Sequence, residues 1–197
     1  MKIIGICGSP RKNKSTTLFS LEKALKAAEH GGIKTSLINL SDYTFSGCIA
    51  CGKCRKEITC SIDDDFKNKI IPLLNDSEIK GIIYATPVYM GGVTSLMKAF
   101  IDRCVMFRRN GFLFKDIIAG ALTVGNSRNG GQELAALDII KSCLIQGMII
   151  VPDAPPTSHF GGLLWSGNPE GIEGDNEGIK SAVNLGEKMA EIVKKLN

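Results

Sequence analysis

Short apolar segments alternate with longer segments of helical periodicity along most of the chain. The apolar, β-branched segments predict strands at residues 2–7, 33–40, 81–85, 117–124 and 148–151. In the segments between them, apolar residues recur every three or four positions, as they do on one face of a helix. This spacing predicts helices over residues 15–30, 63–75, 93–107, 131–146 and 178–196.

The regular alternation of strands and helices predicts an α/β fold. Strands that are joined through helices run parallel with right-handed crossovers, so helices cover both faces of the sheet. The segments GIIYA and IIAGALTV are almost entirely apolar, as expected for central strands that are buried on both sides. We expect one domain over residues 1–197, with a cysteine-rich insertion at about residues 41–62 and a Gly/Pro-rich loop at 152–177.

Composition narrows the classes of function. The chain has 24 Lys and Arg against 20 Asp and Glu, and its net charge of +4 is spread without a dense basic tract. We therefore expect neither a nucleic-acid nor a membrane partner. The sequence has no signal peptide pattern and no apolar run of about 18 residues, which predicts a soluble, cytoplasmic protein. In that reducing compartment, clustered thiols indicate metal binding or redox chemistry rather than disulfides.

The loop between the first strand and the first helix has the features of a phosphate site. Its sequence, GSPRKNKSTT at residues 8–17, combines hydroxyls, basic side chains and a helix N-terminus, where free N–H groups attract anions. An ordinary capped turn is the alternative. A dinucleotide fingerprint is absent because the loop has one glycine, and Asn13 in place of a second glycine disfavours a Walker loop.

Two further loops follow the third and fourth predicted strands. Residues 86–92, TPVYMGG, supply a proline, an aromatic side chain and two glycines, which let a backbone approach a flat ligand closely. Residues 125–133, GNSRNGGQE, offer N–H groups and polar side chains for the edge of a heterocycle. Ligands of open α/β sheets bind beyond the carboxyl ends of the strands. The three loops together therefore predict a site for a planar ring that carries a phosphate.

These three motifs, in this order, resemble the flavodoxin-like NADPH-dependent FMN reductase family, and the resemblance covers nearly the whole chain. It implies a three-layer sandwich around a five-stranded parallel sheet of order 2-1-3-4-5, and FMN as the cofactor. It places the FMN phosphate at Ser9, Arg11, Asn13, Ser15, Thr16 and Thr17. It places the isoalloxazine ring at Pro87, Val88, Tyr89, Met90 and Gly91, with Ser127, Asn129, Gly130 and Gly131 nearby. It also implies a homo-oligomer, a dimer or tetramer, in which a neighbouring subunit closes the flavin pocket.

The insertion carries four cysteines at the spacing C-x2-C-x2-C-x5-C. Short gaps of this kind bring four thiolates together without long-range folding, and bacterial ferredoxins begin with a related pattern. Free or redox-active thiols are one alternative, and zinc is another, although zinc ribbons separate their cysteine pairs more widely. The spacing resembles the iron–sulfur flavoproteins, a branch of the same family with a 4Fe–4S cluster beside FMN. That resemblance implies a set of four cluster ligands, namely Cys48, Cys51, Cys54 and Cys60.

The expected function is a flavin-dependent oxidoreductase that transfers electrons. FMN exchanges two electrons or one, whereas a cluster exchanges one, so the pair would connect a ferredoxin-like electron donor to an acceptor. An NAD(P)H-dependent FMN or quinone reductase without a cluster is the first alternative, and a flavin-binding redox sensor is the second. No side chain is assigned as a catalytic acid, base or nucleophile, because the flavin carries the chemistry.

Overall fold

The computed structural model describes residues 1–197 as six strands and six α-helices. The strands are β1 (Lys2–Cys7), β2 (Lys34–Asn39), β3 (Ile79–Pro87), β4 (Ile118–Gly125), β5 (Ile149–Ile150) and β6 (Gly162–Trp165). The helices are α1 (Thr16–His30), α2 (Ile71–Leu74), α3 (Ser95–Arg103), α4 (Val105–Arg109), α5 (Gln132–Ile145) and α6 (Asn176–Leu196). Short 3₁₀ turns lie at Leu40–Asp42, Lys53–Arg55 and Ile172–Gly174, and a π-helical turn at Phe66–Ile70 leads into α2.

The sheet is parallel throughout, and its strand order is β2-β1-β3-β4-β5, as predicted. The central strand β4 is buried along its whole length, which explains why its sequence is apolar without alternation. One apolar core lies between the sheet and α1 and α6, and a second lies between the opposite face and α2 to α5. The predicted three-layer α/β sandwich is therefore confirmed.

The fifth position of the sheet differs from the prediction. The sequence predicts one strand at 148–151 followed by a loop. In the structure, β5 has two residues and the loop contains β6. Strand β5 pairs with Ile118 and Ala119, while β6 pairs with Leu122–Gly125. Because β3 occupies the other edge of β4, β5 and β6 lie end to end along the same edge.

Two predicted helices also have different bounds. The helical segment begins after the three aspartates at 63–65. Asp64 accepts a hydrogen bond from the N–H of Lys67 in its first turn, and Asp64 and Asp65 also accept from the backbone of the cysteine-rich insertion. The predicted helix 93–107 is interrupted at Cys104 and divides into α3 and α4. No helix in the structure is both long enough and apolar enough to cross a bilayer.

Candidate functional site

The three loops singled out in the sequence follow β1, β3 and β4, which are adjacent strands of the sheet. Since these strands are parallel, their carboxyl ends and the loops that follow them meet at one edge. The structure therefore brings the predicted phosphate loop and the two predicted ring loops together.

The loop after β1 presents a row of free backbone donors. Ser15 is the N-cap of α1, and its hydroxyl accepts a hydrogen bond of 3.1 Å from the N–H of Leu18. The N–H groups of residues 12–17 donate no hydrogen bond within the chain. Six consecutive unpaired N–H groups at the positive end of a helix form a cradle for an anion such as a phosphate.

The predicted phosphate ligands divide into two groups by burial. Ser9, Ser15 and Thr17 are buried beneath the loop, whereas Arg11 and Asn13 are exposed and Thr16 is half-buried. The hydroxyl of Ser9 already accepts a hydrogen bond from the N–H of Arg11, at 3.3 Å, and so shapes the turn. The assignment of these six residues to the phosphate remains a prediction.

Thr94, which sequence reasoning missed, ties the first loop to the second. Its hydroxyl donates to the carbonyl oxygen of Gly8 at 2.7 Å and caps α3 by accepting from the N–H of Met97 at 3.0 Å. Its own N–H donates to the hydroxyl of Thr86 at 3.3 Å. A Thr near the start of a predicted helix is a capping signal, but the bond to Gly8, in the loop after β1, is not visible in the sequence.

The loop after β3 is a tight two-residue turn with its tip in solvent. Tyr89 and Gly92 exchange two backbone hydrogen bonds, of 3.0 and 3.1 Å, across Met90 and Gly91. Both tip residues have positive φ angles, 51° and 78°, as a type I′ turn requires. Tyr89 and Met90 are exposed, while Pro87 and Val88 are half-buried, so this turn presents apolar side chains beyond the end of β3.

The loop after β4 packs directly against that turn. Gly131 has a φ angle of 96°, and a Cβ there would lie 3.2 Å from the Cα of Gly91 and 3.4 Å from Val88. The predicted ring residues Ser127, Asn129 and Gly130 are exposed beside it. The two predicted ring loops thus form one continuous surface.

Residues of β6 and α5 hold the loop after β4 in place. The indole N–H of Trp165 donates to the carbonyl oxygen of Asn126 at 3.1 Å, and the guanidinium of Arg128 lies 4.9 Å from the centre of the indole ring. The buried amide of Gln132 also donates to the carbonyl oxygen of Ser127, at 2.9 Å. Trp165 is therefore a support of the site, a role that its position in a predicted loop did not reveal.

The four cysteines of the insertion line one cavity of about 660 Å³ between the insertion, α3, α4 and α5. Cys54 is buried and Cys60 is half-buried, whereas Cys48 and Cys51 are exposed. All seven cysteines of the chain are free. A set of four thiols on the wall of one cavity suits a cluster or a soft metal ion.

The thiols do not converge on one point in this structure, and no group of three or more His, Cys, Asp or Glu side chains forms a metal site. Each of three sulfurs contacts a different partner. Cys51 Sγ lies 2.9 Å from the hydroxyl of Ser61, and Cys54 Sγ accepts from Arg109 at 3.1 Å. Cys48 Sγ accepts from the N–H of Ala50 at 3.4 Å. The four ligand assignments remain predictions.

A buried ion pair closes the base of the insertion. Arg103 on α3 donates to a carboxylate oxygen of Asp64, which follows the last cysteine of the insertion. It also donates to the carbonyl oxygen of Ser46, which precedes the first cysteine of the insertion. The guanidinium also covers the ring of Phe66 at 4.3 Å. Burial opposes ionisation of Asp64, but the hydrogen bond and charge of Arg103 outweigh it and hold the pKa of Asp64 below its ordinary value.

The remaining cysteines, Cys7, Cys104 and Cys143, belong to the core. Burial raises the pKa of Cys7 to about 11 and that of Cys143 to about 12, and it raises the pKa of Cys104 as well. Thiols with such raised pKa values stay protonated and unreactive at neutral pH. The chain therefore contains two separate classes of cysteine, one in the core and one around the cavity.

The family model of the NADPH-dependent FMN reductases matches residues 1–161. The chain belongs to this family. It is a flavin-dependent oxidoreductase, and FMN is the flavin that the family description names. The resemblance seen in the three loop motifs is thereby confirmed.

Several relatives carry the name iron–sulfur flavoprotein, including the two that follow. One, from Methanocaldococcus jannaschii, is 42% identical over 98% of this chain and 98% of its own length. The other, from Methanosarcina thermophila, is 39% identical over 98% of this chain and 95% of its own length. Among solved structures, a WrbA-like flavodoxin from Agrobacterium tumefaciens superposes with a TM-score of 0.66 at 15% identity. That match covers 100% of this chain and 99% of the other, and it shows the flavodoxin-like fold.

Proposed function

We propose that this chain is an electron-transfer flavoprotein that holds FMN at the carboxyl edge of its sheet and a 4Fe–4S cluster at the insertion. The observation that carries the proposal is the placement of four thiols, and of no other cysteine, around one cavity. Relatives of nearly equal length that are named iron–sulfur flavoproteins support it.

The FMN phosphate would be held by the free N–H groups of residues 12–17, with hydroxyls of Ser9, Ser15, Thr16 and Thr17 around them. The ring would lie against the wall made by the turn at 88–91 and by Gly131. Gly91 and Gly131 carry no side chain, so they would let the ring approach the backbone closely. The protein then supplies position and electrostatics, while the flavin supplies exchange of one or two electrons.

The residues of the insertion fit an iron–sulfur cluster in number and in chemistry. Four thiolates are the ligand set of a 4Fe–4S cluster, which exchanges single electrons. The insertion has no regular structure from Tyr43 to Gly52, and no atom lies within 4 Å of the Cβ position of Gly47, so the thiols have room to turn inward. Arg103 and Asp64 would hold the two ends of this segment in place while the thiols bind.

A small ferredoxin-like protein is the donor that we propose, because a cluster accepts electrons singly. The family description favours a second candidate, in which NADPH reduces the flavin directly and the cysteines are incidental. The two candidates differ in one observable. Anaerobic NADPH bleaches the flavin of a reductase rapidly, whereas an electron-transfer protein requires the one-electron donor.

The first experiment is anaerobic purification followed by assay of flavin, iron and acid-labile sulfide. The proposal expects bound FMN and about four irons per chain. Cys54→Ser should lose the iron and keep the flavin, whereas Cys143→Ala, which alters a core thiol, should keep both. Flavin without iron would favour the reductase, and absence of FMN binding would contradict the proposed site.

We also propose that the chain forms a homo-oligomer. Helix α5 leaves four apolar side chains exposed, namely Leu134, Leu137, Leu144 and Ile145. Exposed apolar residues that recur along one helix are typical of subunit contacts. Light scattering after size exclusion should give a dimer or tetramer, and Leu137→Glu should reduce its mass. A monomer at micromolar concentration would contradict this.

A further inference from the structure

The end of α4 holds Cys54 at two points. The guanidinium of Arg109 donates a hydrogen bond of 3.1 Å to Cys54 Sγ, and the side-chain amide of Asn110 donates one of 3.0 Å to the carbonyl oxygen of Cys54. The same amide of Asn110 donates to the carbonyl oxygen of Met106 at 2.8 Å, which fixes it to α4. The cysteine is thus bound to the helix through both its sulfur and its backbone.

Cys54 differs from the other three thiols of the insertion in this respect. It is the buried member of the four, and it lies in the 3₁₀ turn Lys53–Arg55. The sulfurs of Cys48 and Cys51 contact only groups within the insertion itself. Arg109 is therefore the one charged group of the main fold that hydrogen-bonds to a thiol of the insertion.

The neighbouring arginine provides a contrast. Arg108 also lies in the last turn of α4, but its guanidinium stands 5.3 Å from the centre of the Phe112 ring. No hydrogen bond joins Arg108 to a cysteine, although it lines the same cavity. The two adjacent arginines carry equal charge, but Arg109 bonds to sulfur whereas Arg108 lies over an aromatic ring.

We propose that Arg109 is a positioning residue of the iron–sulfur site that raises the reduction potential of the cluster through its hydrogen bond to Cys54. The inference rests on the proposed function, since it requires Cys54 to be a cluster ligand. Reduction adds one negative charge to the cluster and its sulfurs. A cation that donates to a ligand sulfur stabilises that charge, and hydrogen bonds to sulfurs are among the factors that set cluster potentials.

The chemistry of arginine suits this role. A guanidinium carries a delocalised positive charge, which suits the stabilisation of an added negative charge. Its rigid fork can donate to sulfur while its other N–H groups face solvent. Asn110 carries no charge and contacts the backbone, so it would fix the position of Cys54 without a comparable effect on potential.

The test is an anaerobic redox titration of the cluster, followed by electron paramagnetic resonance, in the full-length holoprotein. Arg109→Gln should shift the cluster potential to more negative values. Arg109→Lys keeps the charge but loses the planar guanidinium. Its cluster potential should lie between those of Arg109→Gln and the native protein. Arg108→Gln is the matched control and should leave the potential close to the native value.

Iron content separates the two proposals. If the native protein assembles no cluster, the proposed function itself fails and this inference with it. If the native protein and Arg109→Lys both carry about four irons but have equal potentials, the inference is overturned while the proposed function stands. An equal shift in Arg108→Gln would also overturn it, because general charge near the cavity would then explain the effect. If Arg109→Gln loses its iron, the cluster potentials of Arg109→Lys and Arg108→Gln are compared instead. The inference then requires the lower potential in Arg109→Lys.

Discussion

The hydroxyl of Thr94 donates a hydrogen bond of 2.7 Å to the carbonyl oxygen of Gly8, across 86 residues of sequence. This one contact joins the loop after β1 to the start of α3, and both groups are buried. Gly8 is itself bound to β3, since its N–H donates to the carbonyl oxygen of Ala85 at 2.7 Å. The phosphate and ring ends of the proposed flavin site are therefore fixed to each other through Thr94.

Thr94→Val should weaken both folding and flavin binding. Valine keeps the shape, but it leaves the carbonyl of Gly8 without a partner and removes the cap of α3. We expect a loss of about 2–3 kcal/mol in the free energy of unfolding, measured with urea. FMN affinity, measured by quenching of flavin fluorescence, should fall as well. Thr94→Ser retains the hydroxyl and should restore most of both quantities, and a Ser variant as weak as Val would contradict this account.

Thr16→Glu should weaken FMN binding without weakening the fold. A carboxylate beside the free N–H groups of residues 12–17 would repel the phosphate, and we expect at least about a tenfold loss of affinity, or about 1.4 kcal/mol. An acidic residue in the first turn of α1 interacts favourably with the helix dipole, so stability should be kept. Thr16→Gln is the control of equal size. Unchanged affinity in the Glu variant would exclude this loop as the phosphate site.

The sequence predicts the sheet and the meeting of the three loops because each depends on local patterns. Apolar runs mark parallel strands, and parallel strands must present their carboxyl ends at one edge. Strand β6 escaped prediction because its four residues, Gly162–Trp165, lie in a segment rich in Gly and Pro. Its pairing with β4 is a long-range contact, which periodicity does not report.

The sequence also does not predict which side chains contact the cysteine-rich insertion. Arg103 lies within the predicted helix 93–107 and Arg109 lies just beyond its end, and nothing in the sequence assigns them different partners. The structure buries Arg103 against Asp64 and turns Arg109 toward Cys54, because the chain breaks its helix at Cys104. Partners 39 and 55 residues away in the chain determine these roles.

Gly131→Ala tests the contact between the two ring loops, and a second glycine variant measures the effect of backbone strain alone. A methyl group at Gly131 would meet the Cα of Gly91 at 3.2 Å and push the two loops apart. Gly111→Ala is a matched control, since Gly111 has a similar φ angle of 89° and no atom near its Cβ position. Both variants should lose about 1 kcal/mol of stability from the strained φ angle. Only the Gly131 variant should lose FMN affinity, and equal affinities would contradict the placement of the ring.

Asp64→Asn should remove a pH-dependent part of the stability. The side chains of Arg103 and Asp64 are 1% and 13% exposed, so the variant leaves Arg103 buried without a counter-charge and should cost about 3 kcal/mol at pH 7. The pKa of Asp64 is lower in the folded state than in the unfolded chain. Its contribution is therefore fully present above the unfolded pKa of about 3.9 and is lost as pH falls through the folded value.

Urea unfolding at several pH values checks this expectation. The difference in the free energy of unfolding between the native protein and Asp64→Asn should be largest near neutral pH and should shrink below about pH 4. Asp63→Asn is the matched control, because its side chain is 77% exposed and pairs with Lys67 at the surface. That variant should change stability much less at pH 7, since solvent screens the pair. A difference for Asp64→Asn that stays constant with pH would show that the carboxylate acts through its shape and not through its charge.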